Sequence, residues 1–191
     1  MKPVTFLASL LLAAAGSLAA APAKAPPLPA DSVYQLPLKL TDQHGKSWDW
    51  SRKRGQPQLV SMFYSSCQYI CPLIVESGKA VQRTLTPAQR AKLGVMLISM
   101  DPARDTPRRL AQVVRERRIE DARWSLASPA ADDVRSVAGV LDVRYRQLSD
   151  GEFNHTSVLI LLDADGRILA HTEKIGSDID PAFIAKVKAT L

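Results

Sequence analysis

The sequence predicts one α/β domain with a mixed central sheet flanked by helices. Two nearly continuous apolar runs, at 58–64 and 94–100, are typical of strands covered on both faces. Segments with helical apolar spacing alternate with these strands, which favours a layered α/β architecture. An Asp-Ala-Asp-Gly turn at 163–166 joins two further strands in antiparallel fashion, so the sheet should be mixed.

The first half of the chain supplies a hairpin and then a β-α-β unit. Residues 36–50 alternate polar and apolar residues around the turn at Gly45, which predicts an N-terminal β-hairpin. The strand at 58–64 runs through Ser65-Ser66 into a helix that ends before Pro87. The strand at 94–100 follows it.

The second half supplies helices and strands that complete the sheet. Thr106-Pro107 opens a helix to about Arg118, with Thr as N-cap and Pro at the first helical position. The remaining predicted elements are a strand at 124–126, a helix at 130–141, strands at 143–148, 157–162 and 167–172, and a helix at 180–191. A βαβ unit followed by ββα is the thioredoxin arrangement, extended here by the leading hairpin and by residues 119–148.

The composition is typical of a globular protein, and it changes along the chain in a way that predicts three segments. The 191 residues are 46% hydrophobic and 23% charged. Residues 1–23 carry Lys2, an uncharged Leu/Ala-rich run and small residues suited to signal peptidase, which predicts a signal peptide; an uncleaved membrane anchor is the alternative. A Pro/Ala-rich linker at 24–33 then leads into a domain at 34–191. We therefore expect a periplasmic protein, either free or tethered to the inner membrane.

The net charge of +6 is carried in part by an Arg-rich segment at 104–118. A basic surface fits acidic protein partners or anionic lipid headgroups, and it also simply keeps a protein soluble. An exported protein rarely meets nucleic acid, so we exclude that function class. We expect a monomer.

Both cysteines of the chain, Cys67 and Cys71, lie between the first buried strand and its helix. The N-terminal end of a helix lowers thiol pKa values, and a spacing of four can place both sulfurs on one helical face. Thiolates favour Cu(I), zinc or iron–sulfur clusters, but two cysteines alone complete neither of the last two sites. They suffice for Cu(I) if an imidazole joins them. A redox dithiol and a structural disulfide are the alternatives.

Of the three histidines, one stands where a third ligand is needed. His155 directly precedes the strand at 157–162, whose start lies beside the cysteine loop in a thioredoxin-like sheet. Position alone leaves it either a ligand or an ordinary loop histidine. His44, in a turn, is expected to be exposed to solvent, and His171, at the outer end of a strand, is expected to be a surface or half-buried residue. Three methionines in buried-strand patterns are expected in the core: Met62, Met96 and Met100.

The chain resembles the Sco/SenC family of copper chaperones for cytochrome oxidase assembly. The matching motifs stand in the same order and span 36–191: the hairpin turn at 41–46, Cys67-x-x-x-Cys71-Pro72, the Asp-Pro-x-Arg-Asp-Thr-Pro loop at 101–107, His155-Thr156-Ser157, and the turn at 163–166. The chain has Gln68 where many members have Pro, and Asn154 where many have Asp. Asn154 removes a carboxylate that could orient the imidazole.

The resemblance implies that Cys67, Cys71 and His155 hold Cu(I), with Cu(II) as a further possibility, and deliver it to the copper-containing subunit of a cytochrome oxidase. A disulfide cannot bind Cu(I), so loading requires a thiol reductant outside the cytoplasm. Other periplasmic copper carriers are further candidate partners. Asp101, Arg104 and Asp105 follow the neighbouring strand, and we interpret them either as a docking or supporting loop or as a helix cap with an internal ion pair.

Other functions use the same cysteines differently. A thiol–disulfide oxidoreductase that reduces the copper-ligand cysteines of an oxidase subunit would not need His155, and a copper sensor is also open. A peroxiredoxin-like peroxidase is disfavoured, because Tyr64 stands where that activity wants a Thr three residues before the reactive cysteine.

Overall fold

A computed structural model describes residues 26–67, 69–119 and 121–191. The predicted signal segment at 1–23, the first two residues of the predicted linker, and Gln68 lie outside these ranges. In chain order the strands are β1 (Lys39–Asp42), β2 (Ser47–Asp49), β3 (Gln58–Phe63), β4 (Gly94–Ser99), β5 (Trp124–Ser128), β6 (Tyr145–Gln147), β7 (Phe153–His155), β8 (Leu159–Leu162) and β9 (Ile168–Thr172). The α-helices are α1 (Ile70–Arg83), α2 (Pro87–Lys92), α3 (Pro107–Glu116), α4 (Val134–Val140) and α5 (Pro181–Thr190).

Seven strands form the main sheet, in the order β2-β1-β5-β4-β3-β8-β9. The three central strands β3, β4 and β5 are parallel, and every other pairing in this sheet is antiparallel. The predicted mixed α/β sheet is therefore confirmed. Strands β6 and β7 form a separate antiparallel pair, which we call the 145–155 hairpin. The strand at 153–155 and the short helix α2 were not expected.

Helices α3 and α5 begin at the capping residues that the sequence predicted. The side chain of Thr106 accepts a hydrogen bond from the backbone N–H of Arg109, and that of Asp180 accepts one from Ala182. Each cap is followed by a proline, whose missing N–H has no intrahelical partner at that position in any case. The predicted starts of α3 and α5 are thus confirmed.

The core lies on the central strands. Every residue of β3 and β4 is buried, as their continuous apolar runs predicted. The three methionines are buried as well, and their assignment to the core is confirmed. No helix in the described ranges is long and apolar enough to cross a bilayer.

Packing against the sheet begins slightly upstream of residue 34. Val33 is part of the core, and the Ser32 hydroxyl donates a hydrogen bond to the Asp165 carbonyl at 2.5 Å. The carbonyls of Pro26 and Pro27 accept hydrogen bonds from the Arg54 guanidinium. The end of the Pro-rich segment is therefore held along the domain.

Candidate metal centre

The two cysteines lie together at the junction of β3 and α1. Cys67 follows a tight turn, in which its N–H donates to the Tyr64 carbonyl, and Cys71 is the second residue of α1. The N–H of Cys71 points at the sulfur of Cys67, and the N–H of Tyr64 points at the sulfur of Cys71, each at 3.4 Å. Both thiols are free and buried. The turn between β3 and α1 therefore brings the two cysteines together, and they are not joined in a disulfide.

Their environments make the two thiols unequal. A hydrogen bond from the Cys71 thiol, helped by backbone N–H groups of Cys71, Tyr69 and Ile70, lowers the pKa of Cys67 to about 4, although burial opposes the shift. That same hydrogen bond, together with burial and the nearby carboxyl of Asp105, raises the pKa of Cys71. Cys67 is the thiolate of the pair, and Cys71 keeps its proton.

Two side chains from the neighbouring loop and helix hold the start of the cysteine loop. The buried carboxyl of Asp105 accepts hydrogen bonds from the Ser65 N–H at 3.1 Å and the Ser99 hydroxyl at 2.6 Å. Burial raises the pKa of Asp105, and these hydrogen bonds oppose that shift. On α3, Arg109 donates to the hydroxyl and to the carbonyl of Ser65, both at 3.1 Å. Ser65 is thus fixed from two sides.

Arg104 connects the 101–105 loop to the 145–155 hairpin. Its guanidinium pairs with Asp101 on its own loop, donates to the Gly151 carbonyl and lies 3.5 Å from the Glu152 carboxylate. The internal ion pair considered from the sequence is present. The same side chain also ties this loop to the hairpin that ends at His155.

His155 presents one nitrogen without a partner. Its Nδ1 lies 3.0 Å from the Thr156 carbonyl, which can only accept, so Nδ1 must carry the proton. That leaves Nε2 with a free lone pair, and Nε2 is buried with no hydrogen-bond partner among the described residues. Asn154 is exposed. The Thr156 carbonyl therefore orients this imidazole in place of a carboxylate at 154.

The three predicted ligands are not gathered into one cluster. Cys67 and Cys71 line a cavity of about 20 Å³, whereas His155 lines a separate cleft of about 650 Å³. Within the ranges that the structure describes, no three His, Cys, Asp or Glu side chains stand close enough to hold a metal ion. Tyr64 separates the two parts: its ring packs edge-on against His155, with centroids 5.8 Å apart, and its N–H contacts the Cys71 sulfur.

Tyr64 and Arg109 contribute to the site without having been singled out for it. From the sequence, Tyr64 stands out only as the residue in place of a peroxidase Thr, and Arg109 belongs to the Arg-rich segment at 104–118. The available signal for Tyr64 is its place as the last residue of the apolar run at 58–64, three residues before Cys67. His44 and His171 are both exposed, as predicted.

A comparison with family models matches residues 28–191 to the family described as SCO1/SenC. The chain belongs to the SCO1/SenC family. Among sequence relatives, a SCO2-like protein of Rickettsia prowazekii is 25% identical over 140 residues, which are 71% of this chain and 67% of the relative.

Solved structures of SCO1/SenC proteins share this fold. Bradyrhizobium japonicum ScoI, solved with copper bound, is 26% identical with a TM-score of 0.67, over 81% of this chain and 98% of that one. BsSco, described as a member of the Sco family of cytochrome c oxidase assembly proteins and reported with a disulfide switch, is 20% identical with a TM-score of 0.67, over 80% of this chain and 90% of that one.

Proposed function

We propose that this SCO1/SenC protein binds Cu(I) through Cys67, Cys71 and His155 and delivers it to the copper-containing subunit of a cytochrome oxidase. The observation that carries the proposal is a pair of free, buried cysteines at the start of a helix, with Tyr64 contacting both the Cys71 sulfur and the ring of His155, whose Nε2 is buried without a hydrogen-bond partner among the described residues. The copper-bound relative from Bradyrhizobium japonicum and the assembly role named for the Sco family support the choice of metal and destination.

The donor set suits Cu(I). Two thiolates, one neutral imidazole and Cu⁺ sum to −1, a charge that the positive end of the α1 dipole offsets. Cys71 keeps its proton in the metal-free protein, so metal binding must release that proton. His155 must also approach the sulfurs, so we expect the Tyr64 ring, which packs against the imidazole, to move when the metal binds.

The surface beside the cysteines suits transfer to another protein. Tyr69, between the two cysteines, is 87% exposed, and Leu73 is exposed one turn further along α1. Exposed aromatic and aliphatic side chains are typical contact residues of protein interfaces. A partner bound there would lie next to the metal-binding sulfurs.

An anaerobic Cu(I) titration of the reduced protein against a chromogenic competitor tests this proposal. Wild type should bind one equivalent tightly, and His155→Ala should bind at least tenfold more weakly, about 1.4 kcal/mol. The matched control is His171→Ala, which removes an exposed imidazole and should leave the affinity unchanged. No tight binding by wild type, or the same affinity in both variants, would refute copper ligation by this set.

The unequal thiols favour a second candidate, a thiol–disulfide oxidoreductase. The Cys67 thiolate would attack a substrate disulfide, and Cys71 would then resolve the mixed disulfide, giving up its proton as the Cys67–Cys71 bond forms and the substrate leaves as a dithiol. This activity should survive His155→Ala and disappear in Cys67→Ser. A disulfide-reduction assay on these two variants therefore separates it from the chaperone function.

We also propose that residues 1–23 direct export to the periplasm. The apolar run after Lys2 supports this, and the thiol chemistry of the site suits a compartment where a disulfide can form. N-terminal sequencing of the protein recovered from a periplasmic fraction tests it. An intact N-terminus in the membrane fraction would instead indicate an anchor.

A further inference from the structure

A second cavity with strongly basic walls lies away from the cysteines. It has a volume of about 230 Å³, far more than the roughly 30 Å³ that one water occupies. Its lining residues come from α1, α2, the segment after α3, and the start of β5: Lys79, Gln82, Arg83, Arg90, Arg118 and Trp124. Four of these six carry a positive charge.

The charge in this cavity is largely unneutralised. Lys79 pairs with Glu76, but Arg83, Arg90 and Arg118 form no ion pair with any part of the chain that the structure describes. Guanidinium groups converging on one cavity repel one another, and a bound anion would relieve that repulsion. The cavity therefore selects for negative charge.

Gln82, which also lines this cavity, carries a buried hydrogen-bond donor. Its Oε1 accepts the Trp124 indole N–H at 3.0 Å, and because an indole can only donate, the orientation of the amide is fixed. The NH₂ group of Gln82 is left buried and without a hydrogen-bond partner among the described residues, and the residue as a whole is only 7% exposed. An unsatisfied buried donor is costly, and an oxyanion would satisfy it.

We propose that this cavity binds a phosphate-class oxyanion, held by Arg83, Arg90 and Arg118 and by the NH₂ group of Gln82. Arginine forks match the geometry of phosphate oxygens, and the neutral amide supplies a donor at the buried end. The ligand is either a soluble phosphate or the phosphate of an anionic phospholipid headgroup.

The position of the cavity suits a headgroup. Trp124 begins β5, so the cavity lies at the end of the sheet where the three parallel strands start. Cys67 lies beyond the opposite end of β3. Pro26, the first described residue, also lies at this end, where its carbonyl contacts Arg54, four residues before β3. A bilayer at this end would leave the cysteine loop free for a partner.

Two binding measurements on the full chain test the proposal, with folding checked by circular dichroism. Calorimetry with inorganic phosphate at constant ionic strength should show one site in wild type and at least tenfold weaker binding in Arg83→Gln/Arg90→Gln. Gln82→Glu, which keeps the acceptor for Trp124 but replaces the donor, should weaken binding similarly. The control Arg108→Gln/Arg135→Gln removes the same charge from two exposed arginines outside the cavity and should bind as wild type does.

Cosedimentation with phosphatidylcholine vesicles, with and without phosphatidylglycerol, identifies the source of the phosphate. Loss of the phosphatidylglycerol-dependent binding in the cavity variants assigns a lipid headgroup, and its retention alongside lost phosphate binding assigns a soluble phosphate. If neither phosphate nor vesicle binding changes in the cavity variants, or if the control loses as much, the proposal is overturned.

Discussion

The thiols of Cys67 and Cys71 differ in pKa, and the hydrogen bond between them is the main cause. The Cys67 sulfur accepts hydrogen bonds from the Cys71 thiol and from the Cys71 N–H just before α1 begins, whereas Cys71 is more deeply buried and lies near the carboxyl of Asp105. One sulfur is therefore charged and the other neutral in the metal-free protein. The same arrangement serves metal capture and thiol exchange, since both begin at a thiolate.

The low pKa of Cys67 predicts its reactivity in reduced, metal-free protein. Because the pKa of Cys67 is about 4, its thiolate is fully formed at pH 6 and above. The rate of its alkylation by iodoacetamide should therefore be nearly independent of pH between 6 and 8. The alkylation rate of a cysteine with an ordinary pKa would increase roughly 80-fold over that range. Peptide mass spectrometry gives the rate at each cysteine. Cys71→Ala removes the hydrogen-bond donor and should restore a pH-dependent rate, whereas an ordinary profile in wild type would contradict the assignment.

In the hairpin formed by β1 and β2, the Asp42 carboxylate is a second ionisable group whose pKa is lowered by hydrogen bonds. Its carboxylate accepts hydrogen bonds from the N–H groups of His44 and Lys46, at 2.9 and 3.0 Å, and from the Trp48 indole at 3.0 Å. Burial acts to raise the pKa of Asp42, but these hydrogen bonds prevail and lower it. Its stabilising effect is therefore present above the unfolded pKa and is lost as pH falls through the folded pKa.

Asp42→Ala should reduce the free energy of unfolding by about 1–3 kcal/mol at neutral pH, since it leaves the N–H donors of the turn without their acceptor. Urea denaturation at several pH values measures this, and the gap between wild type and variant should close in acid below about pH 4. Asp49→Ala, at the exposed end of the same hairpin, should change stability by less than about 1 kcal/mol. A gap that stays constant into acid would refute the role of the Asp42 carboxylate.

At the scale of elements, α1 joins the cysteine end of the molecule to the basic cavity. Cys71 is in its first turn, and its last turn carries Gln82 and Arg83. Midway, the helix passes so close to Trp124 that a Cβ at Gly78 would lie 2.6 Å from the indole ring. A larger residue at this point would force α1 or Trp124 to shift.

Gly78→Ala should destabilise the protein by about 1–3 kcal/mol through overpacking, even though alanine is the better helix former. Gly139→Ala, in α4, is the matched control, because nothing lies within 4 Å of a Cβ there. That change should raise stability by up to about 1 kcal/mol. Thermal or urea unfolding distinguishes them, and equal effects of the two changes would disprove the packing argument.

At the scale of the whole molecule, sheet topology brings distant segments to one edge. The parallel pairing of β3 with β4 sets the cysteine loop beside the 101–105 loop, and the antiparallel pairing of β8 with β3 brings up the hairpin that ends at His155. Arg104 then links that hairpin to the 101–105 loop. The proposed copper site therefore depends on contacts between three separate parts of the chain.

Arg104→Gln should weaken Cu(I) binding by about tenfold, because the hairpin that positions His155 loses its tie to the 101–105 loop. The competitor titration measures this, and a thiol assay should still find both cysteines reduced. Arg108→Gln, on the exposed side of α3, is the control and should bind copper as wild type does. Unchanged affinity in Arg104→Gln would show that this tie does not support the site.

Patterns that are local in the chain were readable from the sequence. Continuous apolar runs identified β3 and β4, Thr-Pro and Asp-Pro pairs marked the starts of α3 and α5, and the motif between strand and helix placed both thiols at the N-terminal end of α1. The spacing of four allowed both sulfurs to lie on one helical face, but only Cys71 is in α1, because the helix begins at Ile70. Each of these depends on neighbours within a few residues, so short-range physics determines them.

Long-range contacts were decided only by the tertiary structure. The strand at 153–155 exists because it pairs with β6, and no periodicity is visible in three residues. Arg109 reaches Ser65 across 44 positions, and Gln82 meets Trp124 across 42, so neither contact leaves a mark in the local pattern. The sequence by itself determined the central buried strands, the starts of α3 and α5, and the place of the two cysteines between a strand and a helix. The order of strands in the sheet decided which residues meet, because burial and pairing energies depend on neighbours that are remote along the chain.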